Sequence, residues 1–193
     1  MRELGAKLIP VSPLKDKTLP QLDGLILGGG YPELHLAELS ANTSFQESLK
    51  QRLEDGMPCY AECGGFIYLG RSMTVNGETY PLTGFFPFDF AMTDRLQRFG
   101  YMQATVAPHT IFSGEEPETL RGHEFHYTKR VDTTFYATVY DVSKKRKAKI
   151  LRWQEGFQKN NVLSGYPHFH FYSNPACVAC FLENARKEQK KRK

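Results

Sequence analysis

The alternation of apolar and polar positions divides the chain into two halves. In the first half, short continuous apolar runs alternate with one segment of helical period. Lys7–Ser12 ("KLIPVS") and Gly24–Gly30 ("GLILGGG") are expected to be short buried strands. A helix is expected from about Phe45 to Asp55, because Phe45, Leu49 and Leu53 recur every fourth residue. Ser44 and Glu47 have the spacing of a capping box ahead of it, and Gly56 with Pro58 should stop it. "PCYAE" then makes a third strand and "GFIYLGRSM" a further helical piece. From Asn76-Gly77 onward the period changes to two. That dipeptide signals a hairpin, and "FGYMQATVA", "EFHYTKRV", "FYATVYDV" and "KILRW" are expected as more exposed, partly antiparallel strands. A helix from Pro175 closes the chain.

Strand, helix and strand at the spacing of the first half predict parallel pairing, so the expected class is α/β with β-hairpin embellishment. Length and composition fit one soluble domain: 193 residues, 40% hydrophobic and 24% charged. No apolar run is long enough to span a membrane, and the N-terminus lacks the apolar core of a secretory signal. Four cysteines make no disulfide framework, which points to the cytoplasm. Much of the net charge of +4 sits in "KKRKAK" (144–149) and "RKEQKKRK" (186–193). The first is expected to be a solvated hairpin loop and the second a helix end. Neither comes with stacking aromatics or a nucleic-acid motif.

Parallel sheets carry their sites at the carboxyl ends of strands. Two glycine-rich turns fall there, "GGGYPE" after "GLIL" and "ECGG" after "PCYA". Cys63 in the second turn has the setting of a nucleophile elbow: Ala61 two residues before, Gly65 two after, and a helix start that favours a thiolate. The Gly64 amide is placed to stabilise an oxyanion, and Gly29 and Gly30 of the first turn could supply a second donor. A thiol nucleophile needs a base. Histidines cluster in "GHEFH" (His123, His126) and "GYPHFHFYSNP" (His168, His170), where His168, His170 and Tyr172 would share one face of a strand. Alternative uses carry less weight. "HEFH", with Glu124, has ligand types at i and i+3 but not the metalloprotease spacing, so no metal site is expected. "CVAC" (177–180) has redox or zinc spacing without a second pair, on an apolar helix with Val178, Phe181 and Leu182. Cys59 should be an inert core thiol. "GGGYPE" lacks the lysine and hydroxyl of a phosphate loop.

With these residues in place, the chain resembles the glutamine amidotransferase domain at the C-terminus of cobyrinic acid a,c-diamide synthases. "GGGYPELH", "YAECGG", "YPLTGFFPFDFAM", "RLQRFGY", "RGHEFHY" and "GYPHFHFYSNP" carry the resemblance, in order, along nearly the whole chain. It implies a class I, flavodoxin-like amidotransferase fold over residues 1–193, with Cys63 as nucleophile and His168 as its base. Many relatives outside this branch place a glutamate two residues after that histidine. Here His170 stands there, which leaves Glu62 or Glu124 as candidate orienting acids. Glutamine is the implied substrate. The implied partner is an ATP-dependent synthetase domain, absent from this chain, that uses Mg-ATP and takes up cobyrinate, hydrogenobyrinate or a nickel sirohydrochlorin. No cofactor is expected on this domain itself, and a homodimer is one assembly open to it. The resemblance further implies a strand and most of a helix before Met1, with that strand lying between Lys7–Ser12 and "GLILGGG". Without it, the two segments pair directly or the sheet is gapped, and the chain is a fragment or an idle binding module.

Overall fold

A computed structural model describes residues 1–192 and has α/β architecture. The main sheet begins with β1 (Leu25–Leu27) and β2 (Cys59–Glu62), paired in parallel, and β2 continues in parallel to β11 (Val162–Gly165). Antiparallel neighbours extend it through β10 (Lys149–Lys159), β9 (Thr138–Arg146), β6 (Arg98–Val106), β7 (Glu118–His126) and the two-residue β12 (His168–Phe169). Only Tyr166 and Pro167 separate Gly165 at the end of β11 from His168 on β12. The sheet therefore curls until its last strand returns to the ends of β2 and β11. A second sheet has the order β4 (Glu78–Pro81), β3 (Ser72–Val75), β5 (Asp89–Met92), β8 (Thr128–Arg130). The hairpin β3–β4 turns at Asn76 and Gly77, with φ of 52° and 82°, the left-handed pair that a two-residue hairpin requires.

Two apolar clusters lie on opposite faces of the main sheet. On one face, the short α1 (Leu36–Ala41) leads into α2 (Thr43–Glu54), which buries Phe45, Leu49 and Leu53 completely, as its period predicts. The same cluster takes in α3 (Gly64–Tyr68), whose Phe66 packs against Phe86, Phe88, Phe90 and Phe157 at ring distances of 5.0–6.4 Å. Each such aromatic contributes about 1.5–3 kcal/mol by burial, so the helix behind the Cys63 turn is fixed by packing on several sides. On the other face, α4 (Pro175–Lys191) covers the strands with Cys177, Val178, Phe181 and Leu182. Asn174 caps it, accepting from the Ala176 amide at 3.1 Å, with Pro175 in the first turn. Cys177 and Cys180 are free thiols, the first fully buried in the α4 core.

Four expectations are corrected. Lys7–Ser12 forms no strand: Leu8 and Ile9 are exposed, and the segment lies across a groove of about 870 Å³ from β1. Leu25, Val11, Phe45 and Phe181 are among the residues lining that groove, and the sheet ends at β1. The capping box is not formed. Asn42 holds the cap position, its amide donating to Pro13 and Asp16 carbonyls, while Ser44 reaches only Asn42 at 3.5 Å. The basic run 144–149 is mostly strand, because β9 and β10 continue to Arg146 and Lys149 and leave a two-residue turn with Lys147 at φ 53°. His170 and Tyr172 do not follow His168 along a strand, since β12 stops at Phe169 and a single 3-10 turn spans Phe171–Ser173.

Candidate active site

Cys63 occupies the turn between β2 and α3 with φ 47° and ψ −102°, a conformation that costs a β-carbon-bearing residue energy. The turn is locked on both sides. The Cys63 amide donates to Gly165 at 2.8 Å, and its carbonyl accepts from Ile67 at 3.0 Å in the first turn of α3. A β-carbon on Gly65 would run into the Leu27 carbonyl, so only glycine lets α3 start this close to β1. The sharp bend aims the side chain out of the strand end, where it remains largely buried.

His168 reaches the same place from β12. Its Nδ1 lies 3.3 Å from Glu62 Oε1, which leaves Nε2 for the sulfur. The ring is pushed up to about 10, through the Cys63 sulfur first and the Glu62 carboxylate second, against the opposing effect of burial. Burial pushes Glu62 up, but hydrogen bonds from His168 and Tyr60, the His168 charge and the Gly29 amide together hold it below the usual carboxylate range. Tyr60, fully buried on β2, donates to Glu62 Oε2 at 2.9 Å, with its hydroxyl also 3.1 Å from the Pro167 carbonyl. A strand alternates sides every residue, so Tyr60 and Glu62 share a face. That spacing was available in "CYAEC", yet Tyr60 escapes a reading that looks for bases and acids alone.

The glycines of the first turn divide the remaining work. A β-carbon on Gly29 would land inside the His168 imidazole, and the Gly29 amide serves Glu62. Gly29 therefore lies against the histidine–carboxylate pair. Gly30 lies closer to the nucleophile: the β-carbon position of Gly64 is 3.0 Å from the Gly30 nitrogen. The Gly64 N–H is an orphan donor at the start of α3, and the Gly30 backbone lies against that residue.

The other candidates fall in three places. His123, opposite His168 across the β7–β12 pair, stacks on it with ring centroids 4.7 Å apart. Burial first, and then the His168 charge, lowers the His123 ring. Glu124 and His126 point to the other face of β7 and do not join the pair. His126 stacks 3.7 Å from Tyr166 with Nδ1 2.8 Å from the Thr128 carbonyl. Glu124 is buried without a partner on Oε1, and burial with repulsion from Glu155 pushes it up to about 7. His170 is exposed and touches β7 only through its amide, which donates to Arg121. No cluster of metal-ligating side chains occurs among the described residues.

A thiol at a strained elbow, an imidazolium beside it, a carboxylate holding that ring and the orphan Gly64 amide form a set suited to acyl transfer from an amide. Several known proteins are similar to this chain. Cobyrinate a,c-diamide synthase of Streptococcus sanguinis is 41% identical over 184 residues, covering 95% of this chain and 40% of that protein. The Listeria innocua protein of the same name is 42% identical over 179 residues, covering 92% of this chain and 39% of its own. The chain thus spans about two-fifths of the length of these relatives. Among solved structures, PurLQS from Thermotoga maritima superposes with a TM-score of 0.61 at 16% identity, over 88% of this chain and 82% of that one. A structure described as a glutamine amidotransferase gives 0.56 at 18%, over 85% and 79%. The CobB/CobQ-like glutamine amidotransferase domain family matches residues 1–176, and the chain belongs to that family.

Proposed function

We propose that this chain is the glutaminase half of a cobyrinate a,c-diamide synthase. The Cys63 thiolate attacks the side-chain carbonyl carbon of glutamine, and the Gly64 and Gly30 amides hold the oxyanion. The carbon–nitrogen bond then breaks as His168 passes its proton to the leaving amine, giving ammonia and a glutamyl thioester. His168 next takes a proton from water as that water attacks the thioester; the carbon–sulfur bond breaks, glutamate leaves with its carboxyl proton lost to solvent, and the thiolate and its protonated base are restored. Glu62 holds the ring and balances its charge throughout. The observation that carries this reading is the meeting of Cys63, His168 and Glu62 at one strand end.

Residues 1–193 form one amidotransferase domain, which binds glutamine and needs no cofactor of its own. The ammonia passes to an ATP-dependent synthetase portion, in the same chain or a separate one. That portion uses Mg-ATP to activate the a and c carboxylates of cobyrinate, in the cytoplasm, in cobalamin biosynthesis. Among the described residues, no helix is long and apolar enough to cross a membrane. The open groove beside β1 favours a second reading, in which the lone chain keeps the fold but turns over only when completed by another segment.

The test is glutamate release from glutamine by the purified chain, with Cys63→Ala and His168→Ala in parallel. Hydrolysis in the wild type that is abolished in Cys63→Ala and cut at least a hundredfold in His168→Ala is expected. Hydrolysis that survives Cys63→Ala would sink the assignment. Silence in the wild type, even with a synthetase portion and its substrates present, would favour the second reading.

A further inference from the structure

The mouth of the Cys63 site opens onto a bare aromatic face of the main sheet. Along β6 and β7, Met102, Ala104 and Leu120 point into the α4 core, so strand alternation puts Phe99, Tyr101, His123 and Phe125 on the opposite face. The register makes Phe99 face Phe125 and Tyr101 face His123 across the strand pair. His123 in turn faces His168 on β12. Three rings, Tyr101, His123 and His168, therefore run in a row over three strands, from solvent to the reacting thiol. Tyr101 is 86% exposed and Phe99 63% exposed, and Phe99 meets Phe125 edge-on at 6.0 Å. The opposite lip matches. Tyr31 and Leu34 stand 65% and 71% exposed on the turn whose Pro32 abuts Gly64.

Isolated apolar side chains are ordinary on a surface, but a contiguous aromatic strip beside a site has the composition of an interface centre. Its border is cationic. Arg121 follows in the register opposite Gln103, and the Lys144 ammonium sits 5.8 Å from the Phe99 ring. Two further points name the occupant, the first of them from the glutaminase reading. The product released at Cys63 is ammonia, which water would protonate to a non-nucleophilic ammonium, so the acceptor must seal against both lips of the mouth. The relatives devote about three-fifths of their length to something other than this domain.

We propose that the face formed by Phe99, Tyr101, His123 and Phe125 is the docking surface for the ATP-dependent synthetase portion, whose complementary patch is apolar with acidic margins. The proposal rests on the glutaminase reading above and adds where the partner sits.

The test co-expresses this chain with the part of the Streptococcus sanguinis relative that lies outside the matched 184 residues and measures Kd for the isolated pair by sedimentation. Variants are Tyr101→Glu, Tyr101→Thr and Phe99→Glu, with Thr79→Glu as an exposed control on β4, at the edge of the second sheet. All lie on strand surfaces, and a thermal melt checks that each stays folded. Kd should rise at least tenfold in Tyr101→Glu and Phe99→Glu and less in Tyr101→Thr. Thr79→Glu should bind like wild type, and the glutaminase rate of each isolated variant should stay within twofold of it. Rising salt should weaken the wild-type complex. Unchanged Kd in the first three variants would overturn the proposal, as would failure of the wild type to bind. So would a homodimer that these variants dissociate while synthetase binding persists. Loss of binding in the variants of a chain that releases no glutamate would retain the docking surface and overturn the glutaminase reading instead.

Discussion

Two histidine–glutamate sets lie on neighbouring strands, and their electrostatics run in opposite directions. At the Cys63 turn, His168 is pushed up to about 10 and Glu62 is held low. On the inner face of β7, His126 is pushed down to about 4 and Glu124 up to about 7. Burial penalises charge in all four groups. The difference is in the partners. Glu62 receives hydrogen bonds from His168, Tyr60 and the Gly29 amide, whereas Glu124 has the like charge of Glu155 nearby and a bare Oε1. His126 spends Nδ1 on a carbonyl, and its Nε2 has no partner. Charge survives in this interior only where complementary groups converge on it, and they converge beside the thiol.

Substitutions should separate the two sets, beginning with the largest effect. Gly29→Ala puts a methyl where the His168 ring lies, and displacing the base should cut glutamate release by about 10²–10³-fold while the far β7 set is untouched. Glu62→Gln should lower kcat/KM by about 10–100-fold and bring the His168 titration, followed by NMR, down from near 10. The stability sign follows from the same shift. A ring whose folded pKa is raised stabilises the fold fully below its unfolded value and loses that contribution as pH climbs through about 10. Removing Glu62 therefore shrinks the gain at neutral pH. Tyr60→Phe removes one of the donors to Glu62, and an effect of roughly two- to fivefold in the same direction is expected.

Glu124→Gln should leave turnover unchanged and instead raise stability by about 1–2 kcal/mol at pH 8. In the wild type the folded state binds the Glu124 proton more tightly than the unfolded state, so stability falls as pH rises from the ordinary carboxylate range to about 7. The gain in the variant should disappear near pH 4.5, which denaturant titrations at both pH values would read. A Glu124→Gln enzyme as impaired as Glu62→Gln would collapse the distinction between the sets.

The elements that can be read from the sequence are those with a local cause. The Phe45, Leu49, Leu53 stripe, the Asn76-Gly77 turn and the Cys63 elbow each rest on neighbouring residues, and each is found in place. Pairing of Cys63 with His168 depends on the curl of a sheet through six strands, which no local pattern encodes; there the family resemblance selected among four clustered histidines. The choice between Glu62 and Glu124 was likewise non-local, since both are acidic and close to candidate bases in sequence. Lys7–Ser12 failed in the opposite way. Its apolar run has the look of a strand, but strand structure needs a neighbour to pair with, and across the groove from β1 it has none.

The narrowness of β1 has a kinetic meaning. Leu25–Leu27 is held in the sheet by β2 alone, and the two glycines that meet the site, Gly29 against His168 and Gly30 against Gly64, hang from its end. An edge segment of three residues opens far more often than the sheet behind it. Each opening would withdraw Gly29 from the imidazole and Gly30 from Gly64 together. Heating should therefore silence turnover several degrees before ellipticity reports melting, with the amides of residues 25–30 the earliest to exchange with deuterated solvent.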